Sequence, residues 1–282
     1  MHLSRSSFIL LCIIIQYSIA AHWNYADEGP DVWSDLYPEC DGTSQSPIDI
    51  DTTTTVYAPL TKFYFGSSYN VPQNFLFMNN GHTLVGHYTG NDASRLSFTG
   101  GGLKGVFTFS SFHLHWGENY KSGSEHQVNG AKYSGEIHVI HTNRATNQTA
   151  VLGMFIQSIK QVSRTHRKLR NLDTSTTGNV TSAEWIKYLS TVGQLKQVGQ
   201  PVALNLTLGS LFTSNTKKYW RYSGSLTTPP CTEGIIWTIF RKPIIVSEDY
   251  FGLLRNNIYA KDYRSPQPIN ERTVFRSYPY ES

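Results

Sequence analysis

At 282 residues, 39% hydrophobic and 13% aromatic, the chain is long enough for one large β domain or two small ones and can fill a sizeable core. Its net charge of +4 is mild for that length, and no basic tract with interleaved aromatics runs through it, which excludes a nucleic-acid partner. Residues 8–15 are apolar but too few to span a bilayer, so no membrane anchor is expected.

The chain opens with Arg5, the apolar run 8–15 and the small residues Ser18-Ile19-Ala20, which together read as a secretory signal peptide over residues 1–20. An uncleaved anchor is the alternative. The expected protein is then secreted and extracellular, with a single domain over residues 21–282. The C-terminus is polar and carries no lipid-anchor tail. Cys12 leaves with the signal, and Cys40 and Cys231 permit one disulfide. Glycosylation sequons begin at Asn147, Asn179 and Asn205; the last alternates with Leu204, Leu206 and Leu208, which predicts a strand and a less accessible side chain.

Along the mature chain, short apolar runs bounded by Gly, Pro and Asn predict strands near 63–65, 74–78, 83–85 and 95–98. Asn79-Asn80-Gly81-His82 is a tight-turn signal. Longer strands are predicted over 106–116, 137–141, 151–159 and 235–240. The stretch 161–178 is polar and basic and reads as a solvated loop or short helix. Thr181-Ser182-Ala183-Glu184 is a capping-box signature, and Trp185, Leu189 and Val192 follow it at helical spacing. The tail, with Pro266, Pro268 and Asn270, reads as irregular. Many short strands and few helices predict a mainly β single domain around one large sheet.

Within 106–116, alternation puts Phe112, Leu114 and Trp116 on one face. His113 and His115 fall on the other, roughly 6–7 Å apart along the strand. In Gly135-Glu136-Ile137-His138-Val139-Ile140-His141, Glu136 and His138 share a face. Two histidines from one strand and one from another offer three neutral nitrogens and leave a fourth position for water, the composition of a catalytic rather than a structural zinc site. A histidine pair of this kind, taken alone, is more often an ordinary surface or core feature; the surrounding chain decides.

That surrounding chain contains Gln45-Ser46-Pro47-Ile48-Asp49-Ile50, Asn80-Gly81-His82, Phe112-His113-Leu114-His115-Trp116-Gly117, Gly123-Ser124-Glu125-His126, Glu136-Ile137-His138 and Ser225-Leu226-Thr227-Thr228-Pro229-Pro230. With these segments, in this order and over nearly the whole mature chain, the protein resembles the α-class carbonic anhydrases. The resemblance implies a twisted, mostly antiparallel ten-stranded sheet with the metal at the base of a cone, and a Cys40–Cys231 pair. It implies Zn2+ bound by His113, His115 and His138, and a bound hydroxide formed near pH 7, a value known for this enzyme class rather than obtained from these residues. Thr227 is then the residue that accepts from the hydroxide and donates to Glu125, a carboxylate that only accepts. Thr228 lines the same wall. Val151, Leu226, Ile140, Ile235 and Trp237 correspond to the apolar pocket for carbon dioxide, His82 to the proton shuttle and Tyr25 to the water network beside it. Glu136 corresponds to the partner that orients His138, and the Asp262 carbonyl to the one that holds His115. Ser111 stands where the family has a glutamine that holds His113, and the shorter side chain weakens that support.

The function so implied is reversible hydration of carbon dioxide to bicarbonate and a proton, by a zinc lyase acting on a small-molecule substrate. A non-catalytic binding, storage or mineral-matrix protein on the same fold is the alternative, and it predicts a missing ligand. A zinc ester hydrolase shares the site and differs only in substrate.

Overall fold

The computed structural model describes residues 23–160 and 181–279. The signal-peptide reading of residues 1–20, Cys12, the basic stretch 161–178 and the sequon at Asn179 lie outside the described residues. The strands are β1 (Asp49–Ile50), β2 (Val56–Tyr57), β3 (Phe63–Phe65), β4 (Gln73–Asn79), β5 (Leu84–Tyr88), β6 (Ser97–Gly100), β7 (Leu103–Trp116), β8 (Gln127–Val128), β9 (Gly135–Asn143), β10 (Gln148–Ile159), β11 (Pro201–Leu206), β12 (Tyr219–Ser225), β13 (Glu233–Ser247) and β14 (Phe275–Arg276). The helices are α1 (Trp33–Leu36), α2 (Ala183–Leu189) and α3 (Glu248–Asn257).

Twelve strands form one twisted sheet in the order β11-β4-β5-β7-β9-β10-β13-β12-β14-β2, with β3 and β6 branching from β7; β1 and β8 pair separately. Within the large sheet the pairs are antiparallel except β10 with β13 and β14 with β2. The expected mainly β fold is the one found, at 40% strand and 16% helix. The sheet has twelve strands where ten were expected; β2 and β14, two residues each, extend one edge.

The long central strands carry the core. Phe112, Leu114 and Trp116 of β7, Ile137 and Val139 of β9, and Leu152 and Met154 of β10 are all buried in one apolar cluster. Each such side chain contributes about 1.5–3 kcal/mol by leaving water. β7 does not alternate throughout. Phe107 and Phe109 are also buried, an odd number of residues from Phe112, because a bulge shifts the register between Phe109 and Ser111. That extra residue turns Ser111, His113 and His115 together onto the opposite face.

The helices cover the apolar cluster. In α2 the N-cap is Ser182, whose hydroxyl accepts from Trp185 N, one residue later than the capping-box reading. Thr181 instead accepts from Ser247 N, and Glu184 accepts from Thr207 N, so neither serves the cap. Trp185, Tyr188 and Leu189 bury one face, and Val192 falls beyond the helix in a 3-10 turn. α3, missing from the sequence reading, is capped by Ser247 and carries Glu248 and Asp249 in its first turn, where carboxylates favour a helix. Asn205 is in a strand as expected, but β11 is an edge strand and its side chain is exposed, not shielded. Asn147 sits exposed in the β9–β10 turn with φ 56°.

Candidate metal centre

β7 and β9 run antiparallel in a register that sets His113 directly opposite His138 and His115 opposite Glu136. Side chains on one face of such a pair have Cβ atoms about 4.5–5.5 Å apart. One nitrogen from each of His113, His115 and His138 accordingly lies within 4.8 Å of the others.

Two of the remaining ring nitrogens are tied. His115 Nδ1–H donates to the Asp262 carbonyl at 2.6 Å, and His138 Nε2–H donates to Glu136 Oε1 at 2.8 Å. These bonds fix the tautomers and aim the other nitrogen of each ring into the shared space. His115 Nε2, buried there, has no hydrogen-bond partner. Burial lowers all three imidazoles, His113 to about 3, with neighbouring His138 adding to the effect on His113 and His115, and with Glu136 opposing it at His138. They are therefore neutral at physiological pH, the form that ligates metal. An orphaned buried nitrogen among neutral imidazoles fits a divalent ion that favours nitrogen.

Around the histidines the polar groups form one network. Glu136 accepts four hydrogen bonds: from Glu125 N and His126 N on Oε2, and from His126 Nδ1 and His138 Nε2 on Oε1. Burial alone raises its carboxyl, but the charges and bonds of His126 and His138 outweigh that and hold it well below the usual range. His126 Nε2 meets the Tyr222 hydroxyl at 2.7 Å, which meets Ser46 Oγ at 2.7 Å. Glu125 Oε1 accepts from Arg264 N at 2.8 Å, while its Oε2 lies 3.3 Å from His115 Nε2 and 3.8 Å from His138 Nδ1. Burial raises Glu125, and the Arg264 N–H and the Thr227 hydroxyl oppose it. Asp262 holds β7 twice, through its carbonyl on His115 and through Oδ1 on Trp116 N at 2.7 Å.

The loop carrying Thr227 and Thr228 is pinned from both sides. Leu226 N donates to Thr232 O, and Cys231 N donates to Thr228 O. Cys40 and Cys231 form the expected disulfide, whose Arg264-bound Cys40 carbonyl ties it to the Glu125 partner. Closing a loop of that length constrains the unfolded chain by about 4–5 kcal/mol in the entropy account. Val151, Ile235 and Trp237 are buried in one apolar cluster with Ile140 and Leu226 packed against it, and the Trp237 ring lies 4.7 Å from that of His138.

His82 occupies a turn made by Asn80, whose Oδ1 accepts from His82 N and Thr83 N, with Gly81 at φ 96°. Its ring stacks on Trp23 at 3.6 Å. Tyr25 packs beside Trp23 and Trp33, and its hydroxyl is buried without a hydrogen-bond partner. Burial, with the nearby Glu125 charge, pushes that phenol well up. Ser111 shares the face of His113, opposite His87 on β5, but no hydrogen bond joins it to His113 among the described residues.

Sequence reasoning assigned no role to His126, Tyr222, Arg264 or Trp23. His126 stood in a quoted motif, which was a usable signal. Tyr222 and Arg264 act through partners 96 and 139 residues away, and Trp23 stacks on a histidine far along the chain, so they left none.

Comparison with known proteins agrees with this geometry. The family of eukaryotic-type carbonic anhydrases matches over residues 28–278. Carbonic anhydrase 3 of Bos taurus is 32% identical over 92% of this chain and 100% of its own length. Carbonic anhydrase 7 of Homo sapiens is 30% identical, covering 91% and 97%, and putative carbonic anhydrase 3 of Caenorhabditis elegans is 32% identical, covering 91% and 98%. These relatives correct one expectation. Carbonic anhydrases 3 and 7 are cytosolic, which overturns the secreted, extracellular location. That location rested on a short apolar run, a feature of composition alone. The matched length, the three convergent histidines and the buried network behind them lead to one conclusion: the chain belongs to the eukaryotic-type carbonic anhydrase family.

Proposed function

We propose that the protein is a zinc-dependent carbonic anhydrase, a single catalytic domain that interconverts carbon dioxide and bicarbonate. The observation that carries this reading is the convergence of His113, His115 and His138 nitrogens within 4.8 Å, with two of the rings tied from behind. His113, His115 and His138 would hold the zinc ion, which would supply the Lewis acidity that makes hydroxide available near neutral pH.

The chain's own residues do the rest. Glu136 and Asp262 hold His138 and His115 in their ligating tautomers. Glu125 accepts from the Thr227 hydroxyl, so that the Thr227 oxygen is left to accept a hydrogen bond from the nucleophilic oxygen and orient it. The Thr227 N–H is the donor to a substrate oxygen, and Thr228 forms the adjoining wall. Carbon dioxide is small and apolar, and the cluster of Val151, Leu226, Ile140, Ile235 and Trp237 offers it a dry contact surface beside His138. His82 accepts the released proton through water at a ring nitrogen, and Tyr25 lines that water path. Presence of all three ligands, Glu125 and Thr227 favours an enzyme over a binding or storage protein.

Zinc content and stopped-flow hydration rates, measured on the purified chain beside His115→Ala, test the reading. One zinc per chain with hydration abolished in His115→Ala is expected. Stoichiometric zinc with no hydration activity in the wild type would overturn it. For the relay, His82→Ala should slow maximal turnover and recover with imidazole buffer; an unchanged rate with no buffer response removes His82 from the path.

A further inference from the structure

Strands β4, β5, β7, β9, β10 and β13 lie side by side, and their registers align one row across the sheet. Leu76, His87, Ser111, Ile140, Val151 and Trp237 are direct partners in turn along it. Direct partners share a face. The next row on that face contains Val85, His113 and His138. His87 is thus a further histidine on the ligand face, and the metal centre does not use it.

Exposure rises along the row. Trp237 and Val151 are 1% and 2% exposed, Ile140 and Ser111 are half-buried, and His87 is exposed. His87 is exposed although β5 is paired on both edges, by β4 and by β7. The face itself is therefore open to solvent at that point, and the row leads from the apolar cluster out to water.

His87 is a diagonal partner of His113, about 7–8 Å away across the strands, a span that water bridges. Ser111 lies alongside both, opposite His87 and two residues before His113 on the same face. Its hydroxyl both donates and accepts, as a chain of waters requires. Among the described residues no hydrogen bond, ion pair or ring contact holds the His87 side chain. Of its direct and diagonal partners, Leu76, Asn74, Met78, Ser111 and His113, only His113 titrates. His82, by contrast, lies flat on Trp23, at 3.6 Å and 8°. A ring held on an indole is restricted, whereas one unheld at an open face can turn between the site and bulk water.

Imidazole is the side chain suited to take up and release a proton near neutral pH. We propose that His87 is a second proton carrier of the site. A ring nitrogen takes, through water, the proton that hydration of carbon dioxide releases, and passes it to buffer from the open face. The inference rests on the carbonic anhydrase reading and adds to it a route that does not pass through His82.

The test uses the zinc-loaded full chain in dilute, bulky buffer, where groups of the protein limit proton release. Stopped-flow hydration is compared in wild type, His82→Ala, His87→Ala and the double variant. In His87→Ala maximal turnover should fall while kcat/KM stays, because this exposed side chain takes no part in binding carbon dioxide. The double variant should fall about a hundredfold below wild type, further than either single variant, and concentrated imidazole buffer should restore all three. A second readout needs no turnover. With Co2+ in place of zinc, the His87 ring protons, assigned by His87→Ala, should be shifted by the paramagnetic ion; an unshifted ring lies off the ligand face and overturns the placement. Maximal turnover unchanged by His87→Ala, in the wild type and in His82→Ala alike, overturns the proposal and leaves the catalytic reading intact. A fall in kcat/KM that matches the fall in kcat gives His87 a structural role only and overturns the carrier. A wild type without hydration activity overturns the catalytic reading and the carrier together.

Discussion

Replacing Glu136 by glutamine changes one atom and should disable the support of the metal centre. Glu136 is acceptor to four donors, two on each oxygen, at 2.8 to 3.1 Å. An amide has one acceptor oxygen and one NH2 group. If the NH2 replaces Oε1, it faces His126 Nδ1–H and His138 Nε2–H. If it replaces Oε2, it faces the backbone N–H groups of Glu125 and His126. Either orientation sets donors against donors, and no rotation avoids it. Two charge-assisted bonds are lost, each contributing about 1.5–3 kcal/mol, so the fold should lose roughly 3–6 kcal/mol. Relief of the crowding by moving His138 misaims its Nδ1. Loss of such a partner weakens metal binding about 10–100-fold, or roughly 1.4–2.7 kcal/mol. Chemical denaturation gives the first quantity, and the rate of zinc loss to a competing chelator gives the second. Wild-type stability together with wild-type zinc release in Glu136→Gln would refute the network as described.

Other expectations follow from single contacts. His141 is buried, donates from Nδ1 to Val139 O and accepts from the Tyr69 hydroxyl at 2.5 Å; burial lowers it from 6.5 to about 3. Because the folded form stays neutral while the unfolded form protonates, this stability is complete above pH 6.5 and is lost as pH falls toward 3. Between pH 6.5 and 5 the loss is about 2 kcal/mol, and the paired change His141→Leu with Tyr69→Phe should remove that share of the slope in denaturation curves; an identical slope contradicts it. Gly123 sits at φ 148°, and a Cβ there would stand 2.3 Å from both Gly117 N and Ser134 O. Gly123→Ala should therefore cost about 1–3 kcal/mol and, by shifting Ser124 and Glu125, weaken zinc retention; thermal denaturation and chelator competition read both, and a neutral substitution counts against the argument. Ser111→Gln should slow zinc release by up to about a hundredfold if the longer side chain reaches His113, and unchanged release shows that His113 needs no partner at that position.

Much of this protein is legible in its sequence for local reasons. The alternation of Phe112, Leu114 and Trp116 against His113 and His115 follows from strand geometry, so core face and ligand face were fixed before any fold was known. The Asn80-Gly81 turn under His82 and the cap of α2 are equally local, the latter misplaced by one residue because Thr181 and Ser182 offer the same hydroxyl. α3 escaped because a fifteen-residue strand, Glu233–Ser247, runs directly into it and hides the change of period. Location was misread because an apolar run near Arg5 is composition alone.

What only the tertiary structure decided is which distant residues meet. A bulge near Ser110 resets the face of β7, and no composition signals it. The register of β7 on β9 sets His113 opposite His138, and Glu136 then becomes the common acceptor for His126, His138 and the Glu125 backbone. Arg264 reaches Glu125 across 139 residues, and Arg276 meets Trp220 only because β14 returns to β12. The sequence by itself determined residue types and their spacing along single strands, because side-chain direction there depends only on the backbone period. It could not determine pairings between strands, because those follow from the packing of the whole sheet.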